Sequence, residues 1–227
     1  ASRCWWTDVA ELTFFTGPMN CGKSTLALQI DYTESSAGRR GVRFTSQDRA
    51  GEAVISSRIG LAEDAVEVSP ELDFWAFVTG RLAAGRRVDF LVCDEAQFYT
   101  AAQIDQLARI VDDLEVDVFC FGILHDFRTA MFPASARLVE LADRIEWLQA
   151  RPRCWCGAPA THNARLVGGV MVTEGSQAVV GDTDPGTEVT YEVLCRKHHR
   201  RRETSTVAAV DLAPEPLPFE ASAPSPD

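Results

Sequence analysis

The eight residues from Gly17 to Ser24 constrain the fold of this chain more than any other segment. They fit the pattern G-x-x-x-x-G-K-[ST], they follow the apolar run Leu12–Thr16, and they open a predicted helix. In that context the pattern predicts a loop whose backbone N–H groups surround phosphate oxygens at the N-terminus of the helix. The candidate nucleotide-binding residues of this loop are Gly17, Pro18, Met19, Asn20, Cys21, Gly22, Lys23, Ser24 and Thr25.

Two side chains of the loop and a second acidic segment carry the predicted chemistry. The Lys23 ammonium is expected to reach the β- and γ-phosphates, and the Ser24 hydroxyl is expected to ligate Mg²⁺. Asp94 follows another apolar run and is the expected acidic partner of the same Mg²⁺. Glu95 comes next, where a carboxylate can orient or deprotonate a nucleophile, and Gln97 joins the nucleotide-binding set. The chain is therefore predicted to bind a nucleoside triphosphate with Mg²⁺.

Apolar β-rich runs alternate with amphipathic segments over residues 1–150. The predicted strands are Leu12–Thr16, Val42–Thr45, Val88–Cys93, Val116–Gly122 and Ile145–Leu148. The predicted helices are Lys23–Ser35, Glu71–Ala84 and Ala101–Asp113. The runs Phe90–Cys93 and Val116–Phe121 are apolar on both faces, which is typical of parallel strands covered by helices. We therefore expect an α/β fold, a RecA-like P-loop domain with a central parallel sheet.

Residues 151–202 differ in character, with repeated glycines, short β-type runs and no helical period. Two short pairs of metal-ligating side chains lie near the ends of this segment, at Cys154, Cys156, Cys195 and His198. Such pairs are typical of structural Zn²⁺ sites, although C-x-C spacing leaves open whether His199 or His162 replaces one ligand. We predict a small zinc-ribbon-like lobe. Proline recurs in the region 203–227, which is predicted to be a disordered acidic tail.

Charge and hydropathy exclude several classes of protein. The chain has 22 basic and 33 acidic residues and a net charge of −11, which disfavours general binding to nucleic-acid duplexes. Its apolar runs fall short of the about 18 residues that a membrane-spanning helix needs, and no signal peptide precedes the phosphate loop. Seven scattered cysteines fit a reducing compartment. We expect a cytoplasmic protein without nucleic-acid or membrane partners.

Two other functional classes share parts of this pattern. Asp-Glu-Ala-Gln, the tetrapeptide that starts at Asp94, also occurs in helicases, but a helicase requires a second RecA-like domain and a basic strand-binding face. Neither fits into the remainder of this acidic chain. A regulator that binds nucleotide without transferring phosphate stays open as an alternative, and Glu95 argues against it.

Four stretches, in this order, resemble the thymidine kinase family of the cytosolic and bacterial type. They are the phosphate loop with its Gly-Pro-Met opening, Asp94–Phe98, Gly122–Arg128 and Tyr191–His198. The resemblance covers about residues 11–199 and implies transfer of the ATP γ-phosphoryl group to the 5′-hydroxyl of thymidine, and more weakly of deoxyuridine. It also implies Mg²⁺ with ATP, a structural Zn²⁺ and a homotetramer. A kinase for another deoxynucleoside is the alternative.

The resemblance implies roles for individual residues. Glu95 would be the general base, Phe127 would stack beside the nucleobase, and Met19, Ile123 and Tyr191 would enclose the methyl group. A flexible loop, here called the lasso loop, would close over the base through backbone groups. The remaining matches to the sugar, the phosphates and this loop are Asp48, Arg49, Arg165, Gln177, Ala178, Val179, Val180 and Gly181.

The chain departs from the family pattern in one region. Ile123-Leu124 replaces the usual Leu-Asp, and Thr129–Met131 lacks the usual glycine and proline. These departures affect only the loop that follows the fourth predicted strand.

Overall fold

The computed structural model describes residues 9–46, 54–56, 60–177 and 189–211 of the 227-residue chain. In chain order its elements are β1 (Leu12–Thr16), α1 (Lys23–Ser36), β2 (Gly41–Thr45), β3 (Val54–Ser56), β4 (Ala62–Asp64), β5 (Val66–Glu67), α2 (Phe74–Ala83), β6 (Phe90–Cys93), α3 (Ala101–Leu114), β7 (Asp117–Gly122), α4 (Pro133–Leu141), β8 (Arg144–Trp147), β9 (His162–Val167), β10 (Val170–Val172), β11 (Val189–Leu194), α5 (Arg196–Arg201) and α6 (Ser205–Asp211). None of these helices is long and apolar enough to cross a membrane.

The main sheet has six strands in the order β5-β2-β6-β7-β1-β8, and every pairing within it is parallel. This confirms the α/β fold and the central parallel sheet that the sequence predicts. The five predicted strands and three predicted helices are present, with ends that differ by at most a few residues. Helix α4, which begins with Pro133 at its first turn, was not predicted from the sequence.

Helices cover both faces of the main sheet. Residues of β6 alternate between the two sides: Leu91 packs with α2, α3 and α4, whereas Val92 packs with Ala27 and Leu28 of α1. All four residues of β6 are therefore buried, as an apolar run without alternation indicates. Local signals set the helix ends, because Asp73 accepts a hydrogen bond from the α2 backbone and Thr100 forms a capping box with Gln103 at α3.

The second lobe consists of the antiparallel sheet β10-β9-β11 and a short helix, α5. Its small core contains Ala164, Leu166, Met171 and Leu194 together with Cys154. A core of this size buries little apolar surface, so a lobe of this kind is expected to need a further stabilising element such as a metal site.

The predicted disordered tail was wrong for residues 205–211, which form α6. The segment contains no proline or glycine, and Thr204 accepts a hydrogen bond from the Val207 N–H at 3.4 Å. Thr204 and Ala208 are buried, and the Glu203 carbonyl accepts a hydrogen bond from Trp155 Nε1 at 3.0 Å. The start of the tail is therefore attached to the second lobe, whereas the proline-rich residues 212–227 lie outside the described part of the chain.

Candidate active site

The carboxyl ends of three neighbouring strands, β6, β7 and β1, meet at one edge of the main sheet. The segments that leave them are the phosphate loop after β1, the acidic segment Asp94–Gln97 after β6, and the loop 123–132 after β7. Ile123 N–H donates a hydrogen bond to Gln97 Oε1 at 3.1 Å, so the second and third segments are in direct contact. Edges of this kind are where ligands bind in open α/β sheets.

The phosphate loop has a backbone that only certain residues adopt easily. Gly22 has a φ of 86° immediately before α1, and Asn20 has a φ of 64°. A Cβ on Gly17 would lie 2.8 Å from Cys21 Sγ, which explains the glycine there. Lys23 Nζ donates to the Pro18 carbonyl at 2.9 Å. The ammonium therefore lies against the phosphate loop, where it is predicted to bind phosphate oxygens.

Asp94 and Glu95 form a carboxylate pair beside the phosphate loop. Burial raises the pKa of Asp94 to about 6, and the negative charge of Glu95 adds to this effect. A hydrogen bond with the Ser24 hydroxyl and the positive charge of Lys23 lower the pKa of Asp94 and so oppose part of this rise. Both residues of the phosphate loop therefore interact with Asp94. A buried carboxylate that is held next to a hydroxyl offers the oxygen ligands that Mg²⁺ prefers, so these residues fit the predicted cation.

Glu95 is held by its neighbours in an uncommon backbone conformation. It has a φ of 52°, and its N–H donates to Asp94 Oδ1 at 3.0 Å. Gln97 donates from Nε2 to the Glu95 carboxylate while its Oε1 accepts from Ile123. A Cβ on Gly122 would lie 2.7 Å from Gln97 Oε1, so the glycine leaves room for this bridge. Non-glycine residues with positive φ often occur at functional sites.

We call the space between the phosphate loop and the loop after β7 the cleft, and these two loops its walls. Phe127, Arg165 and Tyr191 form a cluster at the second wall, the loop after β7. The Arg165 guanidinium lies 3.9 Å from the Phe127 ring centroid, and its Nε donates to Tyr191 Oη at 3.1 Å. The same guanidinium donates to the carbonyls of Ser176 and Gln177, at 2.9 and 3.0 Å. Phe127 is 2% exposed, so one face of its ring is already covered by Arg165. Arg165 thereby connects Phe127 to the first residues of the predicted lasso loop.

The structure places the phosphate loop, the acidic segment and the loop after β7 at one edge of the main sheet, and strand β9 of the second lobe contacts two of these segments. Six of the sequence-predicted site residues lie outside the described residues: Asp48, Arg49, Ala178, Val179, Val180 and Gly181. Asn163, which accepts a hydrogen bond from the Met19 N–H at 2.8 Å, was not predicted from the sequence, and His199, considered only as an alternative metal ligand, contacts the Phe127 carbonyl at 3.0 Å. These contacts join residues far apart in sequence, so no local motif marks them.

The four predicted metal ligands lie together, with ligand atoms within 4.8 Å of one another. His198 Nδ1 is 3.3 Å from Cys154 Sγ and 3.5 Å from Cys195 Sγ. A tetrahedral zinc with ordinary bond lengths separates sulfur and nitrogen ligands by about 3.5 Å, so the donor set fits Zn²⁺. His198 Nε2 faces Glu203 Oε2 at 3.5 Å, a carboxylate partner of the kind that orients a metal-bound imidazole.

The two alternative ligands are engaged elsewhere. His199 Nε2 contacts the Phe127 carbonyl, and His162 Nδ1 contacts the Thr161 hydroxyl at 2.8 Å. The C-x-C pair therefore reaches the cluster without substitution by either histidine.

A cavity of about 450 Å³ lies on the other side of the phosphate loop. Its walls come from the first turn of α1, from the end of β8 and from the segment that follows β8, and they include Gly22, Thr25, Trp147 and Leu148. Trp147 is 56% exposed, so its indole face is accessible.

A parallel sheet with a phosphate loop after β1 and a carboxylate pair after β6, on the far side of β7, is typical of P-loop proteins that bind nucleoside triphosphates, a class that includes phosphotransferases. A family model described as thymidine kinase matches residues 10–199. The chain therefore belongs to the thymidine kinase family. It is 60% identical over 214 residues to a thymidine kinase of Streptomyces coelicolor, covering 93% of this chain and 99% of the relative. It is 57% identical to one of Cutibacterium acnes, covering 94% and 99%.

Replacing Asp94 by asparagine is expected to stabilise the ligand-free protein above pH 6. Folding raises the pKa of Asp94 from 3.8 to about 6. Between these two pH values the folded protein therefore binds more protons than the unfolded chain does. Its stability therefore falls as the pH rises from about 4 to about 6. Asparagine carries no charge, and the gain at neutral pH should be on the order of 1–3 kcal/mol.

Thermal unfolding of the parent and Asp94→Asn across this pH range measures the effect. The melting temperatures should converge below about pH 4 and separate above about pH 6. Asp112→Asn removes an exposed carboxylate from α3 and serves as the matched control. A parent that is as stable as Asp94→Asn at neutral pH would contradict the predicted cost of burying this charge.

The donor set predicts about one equivalent of zinc per chain after washing with a weak chelator. Cys195→Ser should lower the zinc content and the melting temperature together, because the metal compensates for the small core of the lobe. Cys120→Ala changes a buried cysteine of the main sheet and should leave the zinc content unchanged. Elemental analysis decides the matter, and a folded protein with less than about a tenth of an equivalent would refute the site.

Proposed function

We propose that this protein transfers the γ-phosphoryl group of ATP to the 5′-hydroxyl of thymidine, giving thymidine monophosphate, and that deoxyuridine reacts more slowly. The observation that carries the proposal is that Asp94, the residue before Glu95, is hydrogen-bonded to the Ser24 hydroxyl and interacts electrostatically with the Lys23 ammonium of the phosphate loop. One carboxylate of the pair suits a cation on the phosphates, and the other is free to act on a hydroxyl group.

The phosphate side of the cleft uses groups that the fold provides before ATP arrives. Backbone N–H groups of the phosphate loop and the first turn of α1 would surround the β- and γ-phosphates. Lys23 would exchange its Pro18 carbonyl for phosphate oxygens. Ser24 and Asp94 would hold Mg²⁺, which neutralises phosphate charge when bound. A cation next to Asp94 also favours its ionised form and offsets the cost of burial.

The base of ATP is proposed to lie in the 450 Å³ cavity beside α1. The first turn of α1 forms one wall of this cavity and also carries the phosphate-binding groups, so a bound triphosphate would extend directly into it. The exposed Trp147 ring offers a face on which adenine can stack.

Glu95 is proposed to accept the proton of the thymidine 5′-hydroxyl as the oxygen attacks the γ-phosphorus. Gln97 donates to the Glu95 carboxylate and therefore orients it. The transition state of phosphoryl transfer is loose, so positioning and charge neutralisation contribute more than activation of the nucleophile.

The nucleoside is proposed to bind between the phosphate loop and the wall that Phe127 and Tyr191 form. Met19 and Ile123 would contact the thymine methyl group together with Tyr191. Arg165 covers Phe127 and holds Ser176 and Gln177, and so would position the loop that closes over the base. Further contacts are proposed by family resemblance for Asp48, Arg49, Ala178, Val179, Val180 and Gly181.

We also propose that the cluster of three cysteines and one histidine binds a structural zinc, that the chain assembles as a homotetramer, and that it works in the cytoplasm without nucleic-acid or membrane partners. The donor distances support the zinc. Family resemblance supports the tetramer.

Glu95→Gln should lower kcat by about 10²–10⁴ while the affinity for Mg·ATP stays near that of the parent. The amide keeps the shape of the side chain but accepts no proton. Glu115→Gln is the matched control, since Glu115 is an exposed glutamate with a similar φ of 54° at the end of α3. Turnover and ATP binding are measured in parallel, and near-normal turnover of Glu95→Gln would remove Glu95 from the mechanism.

Thymidine is predicted to be the best substrate, with deoxyuridine weaker and deoxycytidine nearly inert. Cytosine would leave buried backbone groups of a closed loop unpaired, at about 1–3 kcal/mol each, which corresponds to a loss of tens to hundreds of fold. The methyl group that separates thymidine from deoxyuridine contributes only about 1 kcal/mol.

Met19→Phe should therefore lower kcat/KM for thymidine more than for deoxyuridine, because a larger ring fills the space of the methyl group. Deoxyuridine is the internal control in the same assay at fixed Mg·ATP. Equal efficiency with deoxycytidine or deoxyguanosine would reduce the assignment to an unspecified deoxynucleoside kinase.

A further inference from the structure

Strand β9 presents alternate side chains to the two parts of the molecule. Ala164 belongs to the core of the second lobe, whereas Asn163 and Arg165, one residue before and after it, contact loops of the P-loop domain. This is the two-residue period of a strand with two different environments. Arg165 reaches Phe127, and Asn163 reaches the phosphate loop itself.

Asn163 is 6% exposed, and both ends of its side-chain amide are hydrogen-bonded. Its Oδ1 accepts the Met19 N–H at 2.8 Å, and its Nδ2 donates to the His125 carbonyl at 3.3 Å. The backbone partners fix the orientation of the amide, because an N–H group requires an acceptor and a carbonyl requires a donor.

The two partners of Asn163 occupy equivalent places on the two walls of the cleft. Strands β1 and β7 pair in parallel with Thr16 opposite Gly122 at their carboxyl ends. Met19 and His125 each lie three residues beyond that pair. A single side chain from the second lobe thus spans the two loops just after they separate.

This bridge also affects the phosphate loop. Backbone N–H groups of such a loop usually point at phosphate oxygens, but the Met19 N–H is taken by Asn163. The Met19 backbone is therefore attached to the second lobe and to the loop after β7, while the residues that follow it remain free to surround phosphate.

We propose that Asn163 is a positioning residue that sets the distance between the γ-phosphate of ATP and the 5′-hydroxyl of the nucleoside. It acts by joining the phosphate loop to the loop after β7, and it does not touch the reacting atoms. The inference rests on the proposed kinase function, since only a two-substrate transfer requires the two loops to keep a fixed separation.

Two variants separate the two hydrogen bonds. Asn163→Leu is similar in size and removes both. Asn163→Asp keeps an oxygen for the Met19 N–H, loses the donor to the His125 carbonyl and adds a negative charge beside the phosphate loop. Arg153→Ala is the control, because Arg153 donates to Gly157 within the same lobe at 2.7 Å without contacting either loop.

Asn163→Leu should lower kcat for thymidine about 10–100-fold, the usual cost of a small misplacement of reacting groups. KM for ATP should stay within about threefold of the parent, because the rest of the phosphate loop is intact. Asn163→Asp should also lower kcat, and its added charge should raise the KM for ATP, whereas Arg153→Ala should match the parent in both constants. A residue that only stabilised the lobe would lower the melting temperature without this separation of kcat from KM.

Hydrogen exchange of the Met19 amide gives a second readout, which can be measured in the parent protein and compared with Asn163→Leu. The Met19 amide should exchange slowly in the ligand-free protein and rapidly in Asn163→Leu. If Asn163→Leu does not fold, Asn163→Asp and the exchange of the parent decide the matter.

Three results would overturn the inference: unchanged kcat in a folded Asn163→Leu or Asn163→Asp, an increase in the KM for ATP of Asn163→Leu that accounts for its whole loss of activity, or rapid exchange of the Met19 amide in the parent. A parent protein that phosphorylates no thymidine would instead refute the proposed function.

Discussion

The parallel pairing of β1, β7 and β6 is the constraint on which the rest of the molecule depends. Parallel strands end at the same edge of a sheet, so the phosphate loop, the carboxylate pair and the loop after β7 start side by side. Parallel sheets require cover on both faces, and α1 on one side and α2, α3 and α4 on the other provide it. The apolar strands that make this packing stable therefore also determine where the chemistry takes place.

Neutral side-chain amides connect the three loops at that edge. Gln97 joins the acidic segment to the loop after β7, and Asn163 joins that loop to the phosphate loop. Each amide uses its oxygen and its nitrogen at once, so each couples two loops without adding charge beside Asp94 and Glu95. A charged side chain there would change the electrostatic balance on which cation binding and proton transfer depend. The second lobe thus contributes to the site through Asn163 and Arg165.

The parts of the site that were predictable from the sequence are those whose chemistry is contiguous in the chain. A phosphate loop is eight consecutive residues with an obligatory strand before and helix after, and Asp94 and Glu95 are adjacent at a strand end. The metal cluster was predictable for a related reason, since two short pairs contain all four ligands. The start of the tail was predicted wrongly because the prolines after residue 211 led us to treat the whole C-terminal region as one disordered segment. Helix α6 depends instead on the cap at Thr204 and on packing against the second lobe.

The sequence by itself determined the α/β class, the phosphate loop, the carboxylate pair and the members of the cluster of three cysteines and one histidine, because each of them depends on residues that are close together in the chain. Only the tertiary structure decided how these parts face one another. Asn163 meets Met19 across 144 residues, and Arg165 meets Phe127 through the docking of a strand on a loop. Such contacts depend on how the two lobes pack, and packing is a property of the whole chain that no short pattern encodes.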